Sequence, residues 1–317
     1  MKPIVFMVSG QGSQYYQMGL DFYSENEFFY KSIHSLNDVA KEKFGTSVID
    51  IMYDHKKHMS EAFEDPVISS LGIYLIEYAL ASTLIHCGIK PAKIIGSSMG
   101  MFVSSVLAQC LDKYQGLEAI YHLMTLIKER GEHGCMIMVL ADPSLYHGSE
   151  ILRDNAVLAA MDKAFGFVLS MHLTNLDCVE NYLDKIEVSF HRLPVSRAYH
   201  SHWMDIIKDE FLNMNLHFSS TEPSTSLICC AKTDELKTVG TLDLWNAVRS
   251  PLLFSDTIAK IEEKMASCYI DIGPSGMMAT GLKYILPQHS QSEIYTILSP
   301  HKQASKNFER IKALIRN

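Results

Sequence analysis

The chain has no paired-cysteine spacing. Its seven cysteines, Cys87, Cys110, Cys135, Cys178, Cys229, Cys230 and Cys268, are odd in number and contain no CxxC. Most sit in apolar segments. This excludes a disulfide framework and a cysteine metal site, and it points to reduced, buried thiols in a cytoplasmic setting. Positive charge is also scarce: 28 Lys and Arg against 36 Asp and Glu leave a formal charge of −8. A chain so biased is not a general nucleic-acid binder. No run approaches the roughly 18 apolar residues of a membrane span, so no membrane segment is expected. The N-terminal apolar run, Ile4 to Val8, stops at Gly10 and reads as a first buried strand, not a signal sequence. There is no internal repeat, low-complexity tract or obvious linker. Gly10-Gln11-Gly12-Ser13-Gln14 follows that strand, but it lacks the third glycine of G-x-G-x-x-G and no P-loop lysine follows. No metal and no bound cofactor are expected.

What remains is a chain of 317 residues, 47% hydrophobic and 20% charged. That is enough for one large α/β domain, or a large and a small one. The organising stretch is Ile94-Ile95-Gly96-Ser97-Ser98-Met99-Gly100-Met101-Phe102. Lys93-Ile94-Ile95 has the apolar character of a buried strand, and Met99 to Ala108 that of a buried helix. Between them G-x-S-x-G centres on Ser98. A serine on such a strand-to-helix turn is a nucleophile elbow, with glycines that let strand and helix approach. The Met99 N–H, in the first turn of the helix, is free to face a substrate oxygen. A chance pentapeptide in a loop is the plain alternative, and the flanking strand and helix weigh against it.

In order, helices are expected from about Tyr16, irregularly over 25–65, and from Pro66, where Leu71, Tyr74, Leu75, Tyr78, Ala79 and Leu84 share a face. Gly88-Ile89-Lys90-Pro91 punctuates the chain before the elbow strand. Asp112 to about Glu132 is another helix. After Gly134 the pattern changes. Strands at Cys135–Leu140, Ala156–Ala160, Ala164–Met171 and Val188–Val195 alternate with helices at Ser144–Asp154 and Asp177–Ile186, with a turn at Asp162-Lys163. The order βαββαβ predicts a small ferredoxin-like unit over 134–196. The fold class is therefore α/β: a hydrolase-like core over 1–133 and 197–317, with a mostly parallel sheet flanked by helices, plus that insert. Within the second core segment, a helix follows His202 through Asn213. Strands are expected at Ser226–Cys230, Ser267–Ile272 and Ile294–Leu298, and helices at Leu242–Val248, Phe254–Lys264 and the C-terminus.

A serine at its ordinary pKa needs a base within hydrogen-bond reach. Of the 14 histidines, His200 and His202 stand out, because they follow a strand directly and sit in a loop. The residues leave the choice between them open.

Taken together, Gly10-Gln11-Gly12-Ser13-Gln14, G-x-S-x-G at Ser98, Ala198-Tyr199-His200-Ser201 and Gly273-Pro274-Ser275-Gly276 resemble, in that order, the malonyl-CoA:acyl-carrier-protein transacylase family. That family includes the acyltransferase domains of polyketide synthases. The resemblance covers nearly the whole chain. It implies that Ser98 is the nucleophile and His200 its base, with an oxyanion hole from the Gln11 and Met99 N–H groups. It implies that a backbone carbonyl from Arg249-Ser250-Pro251, rather than a carboxylate, orients the histidine. It also implies acyl carrier proteins as partners and phosphopantetheine-linked acyl thioesters as substrates. The chain is expected to act as a monomer.

The departures from the family pattern carry as much information. Its G-H-S-x-G-E has Ser97 for the histidine and Met101 for the glutamate. The arginine that pairs with the malonyl carboxylate falls on Leu123; the nearest arginine is Arg130. The Gln-Pro of the pocket wall becomes Asp65-Pro66. Leucine offers a carboxylate no hydrogen bond. Leaving it unpaired in a closed pocket costs several kcal/mol, on the order of a thousandfold in affinity. An acyl pocket formed by Leu123, Ser97, Met101 and Asp65 should therefore take a neutral chain. The chain looks like the discrete trans-acting acyl hydrolases of polyketide pathways. A non-malonyl acyltransferase, or a degenerate carrier-binding module, are the other readings. A basic rim for acidic carriers is expected among Lys113, Arg192, Arg197 and Arg249.

Overall fold

In the computed structural model, which describes residues 2–162 and 166–316, nine strands are found among the described residues. They are β1 (Ile4–Val8), β2 (Lys93–Gly96), β3 (Gly134–Val139), β4 (Val157–Asp162), β5 (Gly166–His172), β6 (Phe190–Arg192), β7 (Ser226–Cys229), β8 (Cys268–Asp271) and β9 (Glu293–Thr296). Five form one sheet in the order β7-β2-β1-β8-β9. All its ladders are parallel. β1 is fully buried but for its first residue and occupies the centre. The chain leaves it toward β2 and β7, then returns to β8 and β9 on the other side. The C-terminal end of β1 is thus the point where connections diverge, where open α/β sheets place their sites.

The second sheet, drawn from residues 134–192, is antiparallel with order β4-β5-β3-β6. With helices between β3 and β4 and between β5 and β6, this is the ferredoxin-like arrangement. Its two faces differ because side chains alternate along a strand. Cys135, Ile137 and Val139 of β3 pack on Leu152, Val179 and Leu183 of the insert's helices. Met136, Ala159 and Val168 face the other way. The sheet docks on the core through Leu252, whose N–H donates to Ala159 O at 2.8 Å and whose carbonyl accepts from Met161 N at 3.2 Å.

Helix Pro66–His86 carries the opposite kind of sequence, apolar on every side. By length and composition it could cross a membrane, which corrects the expectation that no such stretch exists. It is instead the central core helix, mostly buried and packed on helices Glu27–Phe44 and Lys113–Arg130. Asp65 caps it, accepting from Val67 N (2.9 Å) and Ile68 N (3.1 Å), with Pro66 in the first turn.

Several boundaries differ from the expectation for local reasons. No helix starts at Tyr16, because Gln17 and Gly19 have left-handed backbones, and the first helix is Leu20–Glu25. The helix expected over Ser144–Asp154 breaks in two, because Ser149 adopts an extended backbone and caps the second half. The strand expected over Val188–Val195 shrinks to three residues, ending before Pro194. The stretch after His202 is a 3₁₀ turn, His202–Ile207, before a short α-helix. Helix Met277–Ile285 was not anticipated from the sequence. The turn at Asp162-Lys163 lies partly outside the described residues. Among the cysteines, only Cys178 is exposed and Cys87 half-buried.

The approach of strand and helix at the elbow makes a sharp prediction. A Cβ on Gly100 would lie 2.3 Å from the carbonyl oxygens of both Val8 and Ser9. Gly100→Ala should therefore cost about 2–3 kcal/mol in urea unfolding. Gly281 lies in a helix with open space around it. Gly281→Ala should stabilise by about 0.5–1 kcal/mol in the same measurement.

Candidate active site

Parallel pairing of β1 with β2 matches Val8 with Gly96. Two residues beyond each, Gly10 and Ser98 meet. A Cβ on Gly10 would sit 3.1 Å from Ser98 Cβ. Ser98 itself has φ 53, a left-handed backbone that L residues seldom adopt. Its carbonyl accepts from Met101 N at 3.0 Å, and that of Ser97 from Gly100 N at 2.9 Å, so the helix starts immediately. Gly96 also leaves room for the elbow helix, since a Cβ there would lie 2.4 Å from Met101 Sδ and displace that side chain.

The histidine arrives from the other side of the cleft. His200 is buried with φ 56, and its Nε2 lies 3.0 Å from Ser98 Oγ. His200 Nδ1 lies 2.8 Å from the Ser250 carbonyl. A carbonyl can only accept, so Nδ1 carries the proton and Nε2 is left to accept from the serine hydroxyl. His202 is exposed and leans, tilted by 32°, against the Trp203 ring. Of the two histidines, only His200 is placed against Ser98. The segment bearing the carbonyl is tethered: Arg249 Nε and Nη2 donate to the Asp205 carboxylate at 2.8 and 2.9 Å. Burial pushes the His200 imidazole down to about 4, and the Ser250 carbonyl acts in the opposite direction. The ring is therefore neutral at physiological pH and can take a proton.

Gln11 and Met99 flank Ser98. Among the described residues, neither backbone N–H donates to another group. Met99 is the cap residue of helix Gly100–Leu107, where backbone donors are unpaired. Two unspent donors beside a serine can hold a developing oxyanion.

A cavity of about 330 Å³ opens from Ser98 between the core and the insert sheet. Ser97 and Leu123 line it, as do Met124, Met136, Met138, Val168 and Met278. No charged side chain is among its lining residues. Arg130 is turned away and paired with Glu210. Two expected pocket residues lie elsewhere. Met101 is buried beneath Gly96, because the elbow helix turns that side chain into the core. Asp65 is occupied as a helix cap and pairs with Lys128 at 2.8 Å. The expected basic rim is not assembled either. Arg192 pairs with Glu180, Arg249 with Asp205, and Lys113 lies over the Tyr114 ring. Arg197 spends its guanidinium on the Ile127, Lys128 and Ser196 carbonyls, closing the end of helix Lys113–Arg130. A more open groove, about 530 Å³, joins the cavity at Gln11, Gly12 and Tyr199 and runs past Glu61 and Phe63.

Sequence reasoning missed the insert's share of this wall. Met136 and Met138 stand two apart on a strand, a signal that they share one face. It also missed Met277 and Met278, because their helix was not anticipated.

The lowered pKa of His200 fixes the acid side of any reaction at Ser98. Single-turnover acylation of the serine, followed against pH by mass spectrometry, should be half-maximal near pH 4 and not near 6.5. The unfolded histidine binds a proton below about 6.5, so this group's contribution is complete above that pH and is lost as pH falls toward 4.

The whole arrangement has known counterparts. The acyl transferase domain profile matches residues 5–317. The polyketide biosynthesis acyltransferase homolog BaeD of Bacillus velezensis is 31% identical over 312 residues, covering 98% of this chain and 96% of its own. The acyltransferase homolog PksD of Bacillus subtilis is 30% identical over 311 residues, with 98% and 96% covered. Among solved structures, the acyl transferase domain of SpnD superposes with a TM-score of 0.87 at 22% identity, covering 100% of this chain and 76% of that one. The malonyl CoA-acyl carrier protein transacylase of Coxiella burnetii gives 0.81 at 18% identity, with 98% and 97% covered. With the profile and two near-full-length relatives in agreement, this chain belongs to the acyl transferase domain family.

Proposed function

We propose that this chain is a trans-acting hydrolase that removes neutral acyl groups from the phosphopantetheine arm of polyketide acyl carrier proteins, through an ester on Ser98. The observation that carries the reading is the acyl cavity. Leu123 stands in its wall, nearly all its surface is apolar, and its lining offers a carboxylate no cation. Arg130 is committed to Glu210. A malonyl group would enter that space with an unpaired charge.

The chemistry follows from the geometry. Ser98 Oγ attacks the thioester carbonyl while its proton passes to His200 Nε2. The carbonyl oxygen becomes an oxyanion facing the Gln11 and Met99 N–H groups. The Ser250 carbonyl holds Nδ1–H and stabilises the imidazolium. The C–S bond then breaks, and the departing sulfur takes the proton from Nε2. Water attacks the Ser98 ester, His200 accepts its proton and returns one to Ser98 Oγ, and the acid is released. The arm is taken to lie in the groove past Gln11, Gly12 and Tyr199.

One observation favours a second reading. The cavity is walled by methionine, leucine and valine, which keep water scarce, and an ester shielded from water passes to a second carrier thiol. Relatives named as acyltransferase homologs are consistent with that. Both readings share every step but the last acceptor.

Carrier proteins bearing acetyl, longer acyl and malonyl groups, incubated with the chain and read by intact-protein mass spectrometry, separate them. The hydrolase reading expects free acid from the neutral chains, malonyl left in place, and no turnover by Ser98→Ala. Movement of the acyl group to a second carrier supports transfer, and uptake of malonyl overturns the neutral-chain reading. Leu123→Arg should reverse the preference, raising malonyl occupancy of Ser98 at least tenfold, the worth of a charge-assisted pair.

A further inference from the structure

Glu77 is the only carboxylate in helix Pro66–His86, and it is buried. One of its oxygens, Oε1, accepts from Ser9 N at 2.8 Å and from Ser9 Oγ at 2.6 Å. The other, Oε2, is buried and has no partner among the described residues. Burial pushes this carboxyl up to about 8; the two bonds from Ser9 oppose the shift, and nearby Asp271 adds to it. Nothing in the catalytic cycle uses this group.

Its partner Ser9 is the first residue beyond β1, and its amide has left the strand ladder. With an apolar residue at 77 that N–H would be buried without an acceptor. Ser9 is also hemmed in on two sides. Its carbonyl limits Gly100 to hydrogen, and a Cβ on Gly273 would lie 2.6 Å from Ser9 Oγ.

Ser13 Oγ lies 3.1 Å from Ser9 Oγ, a packing contact, because the Ser9 hydroxyl gives its one proton to Glu77 and the Ser13 hydroxyl gives its own to Gly10 O at 2.9 Å. That carbonyl and the Gln11 N–H belong to one peptide unit. The unit is trans, so the two point in opposite directions. Holding Gly10 O from the Ser13 side therefore aims Gln11 N–H at the other side, where Gly10 rests against Ser98.

We propose that Glu77 is a positioning residue: by holding the N–H and hydroxyl of Ser9 it fixes the residue that leads into the Gly10–Gln11 peptide, whose carbonyl Ser13 holds, so that the oxyanion donor is aimed before substrate arrives. This rests on the reading of Ser98 as the acylated nucleophile. A neutral carboxyl is suited to the task, because it accepts two hydrogen bonds without placing a full negative charge behind the site where the oxyanion forms.

The test compares Glu77→Leu, Glu77→Gln and Ser9→Ala with the parent chain. Single-turnover acylation of Ser98 is read by intact mass. Affinities are measured for an alkyl boronic acid, which mimics the tetrahedral state, and for a thioether analogue, which mimics bound substrate. Glu77→Leu should acylate at least tenfold more slowly and bind the boronate correspondingly worse, with thioether affinity within twofold. Glu77→Gln, which keeps the accepting oxygen, should stay within about threefold of the parent. Where Glu77→Leu fails to fold, Ser9→Ala carries the test, with a three- to tenfold loss of acylation and the same split between boronate and thioether. Parent-like acylation by the folded Leu variant, or equal weakening of both ligands, overturns the inference. So does a Gln variant as slow as the Leu variant. If the parent chain itself leaves Ser98 unacylated, the nucleophile reading fails first, and the two failures are distinguishable.

Discussion

The contact on which the site depends is between two pieces of backbone. The carbonyls of Val8 and Ser9, at the end of the central strand, press against Gly100 at the start of the elbow helix, so closely that a methyl group there would collide with both. Parallel register brings Gly10 beside Ser98, and the glycine at 96 lets Met101 fold underneath. Only with these approaches does Ser98 hold its left-handed backbone and face His200 rather than solvent. The strain at one residue is sustained by close packing at three glycines.

The histidine is held by a different economy of charge. Its orienting group is the carbonyl of Ser250, not a carboxylate, and the ring is buried. A carbonyl fixes the tautomer and direction without the cost of desolvating an anion. The result is a weaker base than a carboxylate-backed histidine, one that stays neutral well below physiological pH. The ion pair of Arg249 with Asp205 lies outside the chemistry and ties the carbonyl's segment to the turn that follows His200.

Much of this was legible in the order of residues. The elbow, the first strand with its glycine turn, and the βαββαβ run each rest on local patterns that survive folding: a strained turn flanked by glycine, a short apolar run, a change of period. The limits of legibility were equally physical. Choosing His200 over His202 depends on which ring the loop turns inward, and a left-handed backbone at residue 200 is invisible in composition. Met101 has the right chemistry for an acyl pocket, but helical rotation sends it under Gly96. Asp65 sits beside the right proline, yet a carboxylate just before Pro66 is first of all a cap. Helix Met277–Ile285 hid behind the glycines at 276 and 281. Glu77 is conspicuous afterwards, as a lone acid in an apolar helix, but its partner at residue 9 is joined to it only by the fold.

The two-sided insert sheet divides labour within the molecule. One face is committed to its own helices, and its residues cannot change without loosening the insert. The opposite face, with Met136, Met138 and Val168, roofs the cavity and packs on Leu193, Val195 and Tyr199. Ser98, His200, Gln11 and Met99 all lie outside the insert. That ceiling stands apart both from Ser98 and His200 and from the insert's helix-facing core. Such a surface can be rewritten one side chain at a time, and its unbranched thioethers already give it a pliability that a ceiling of valines would lack.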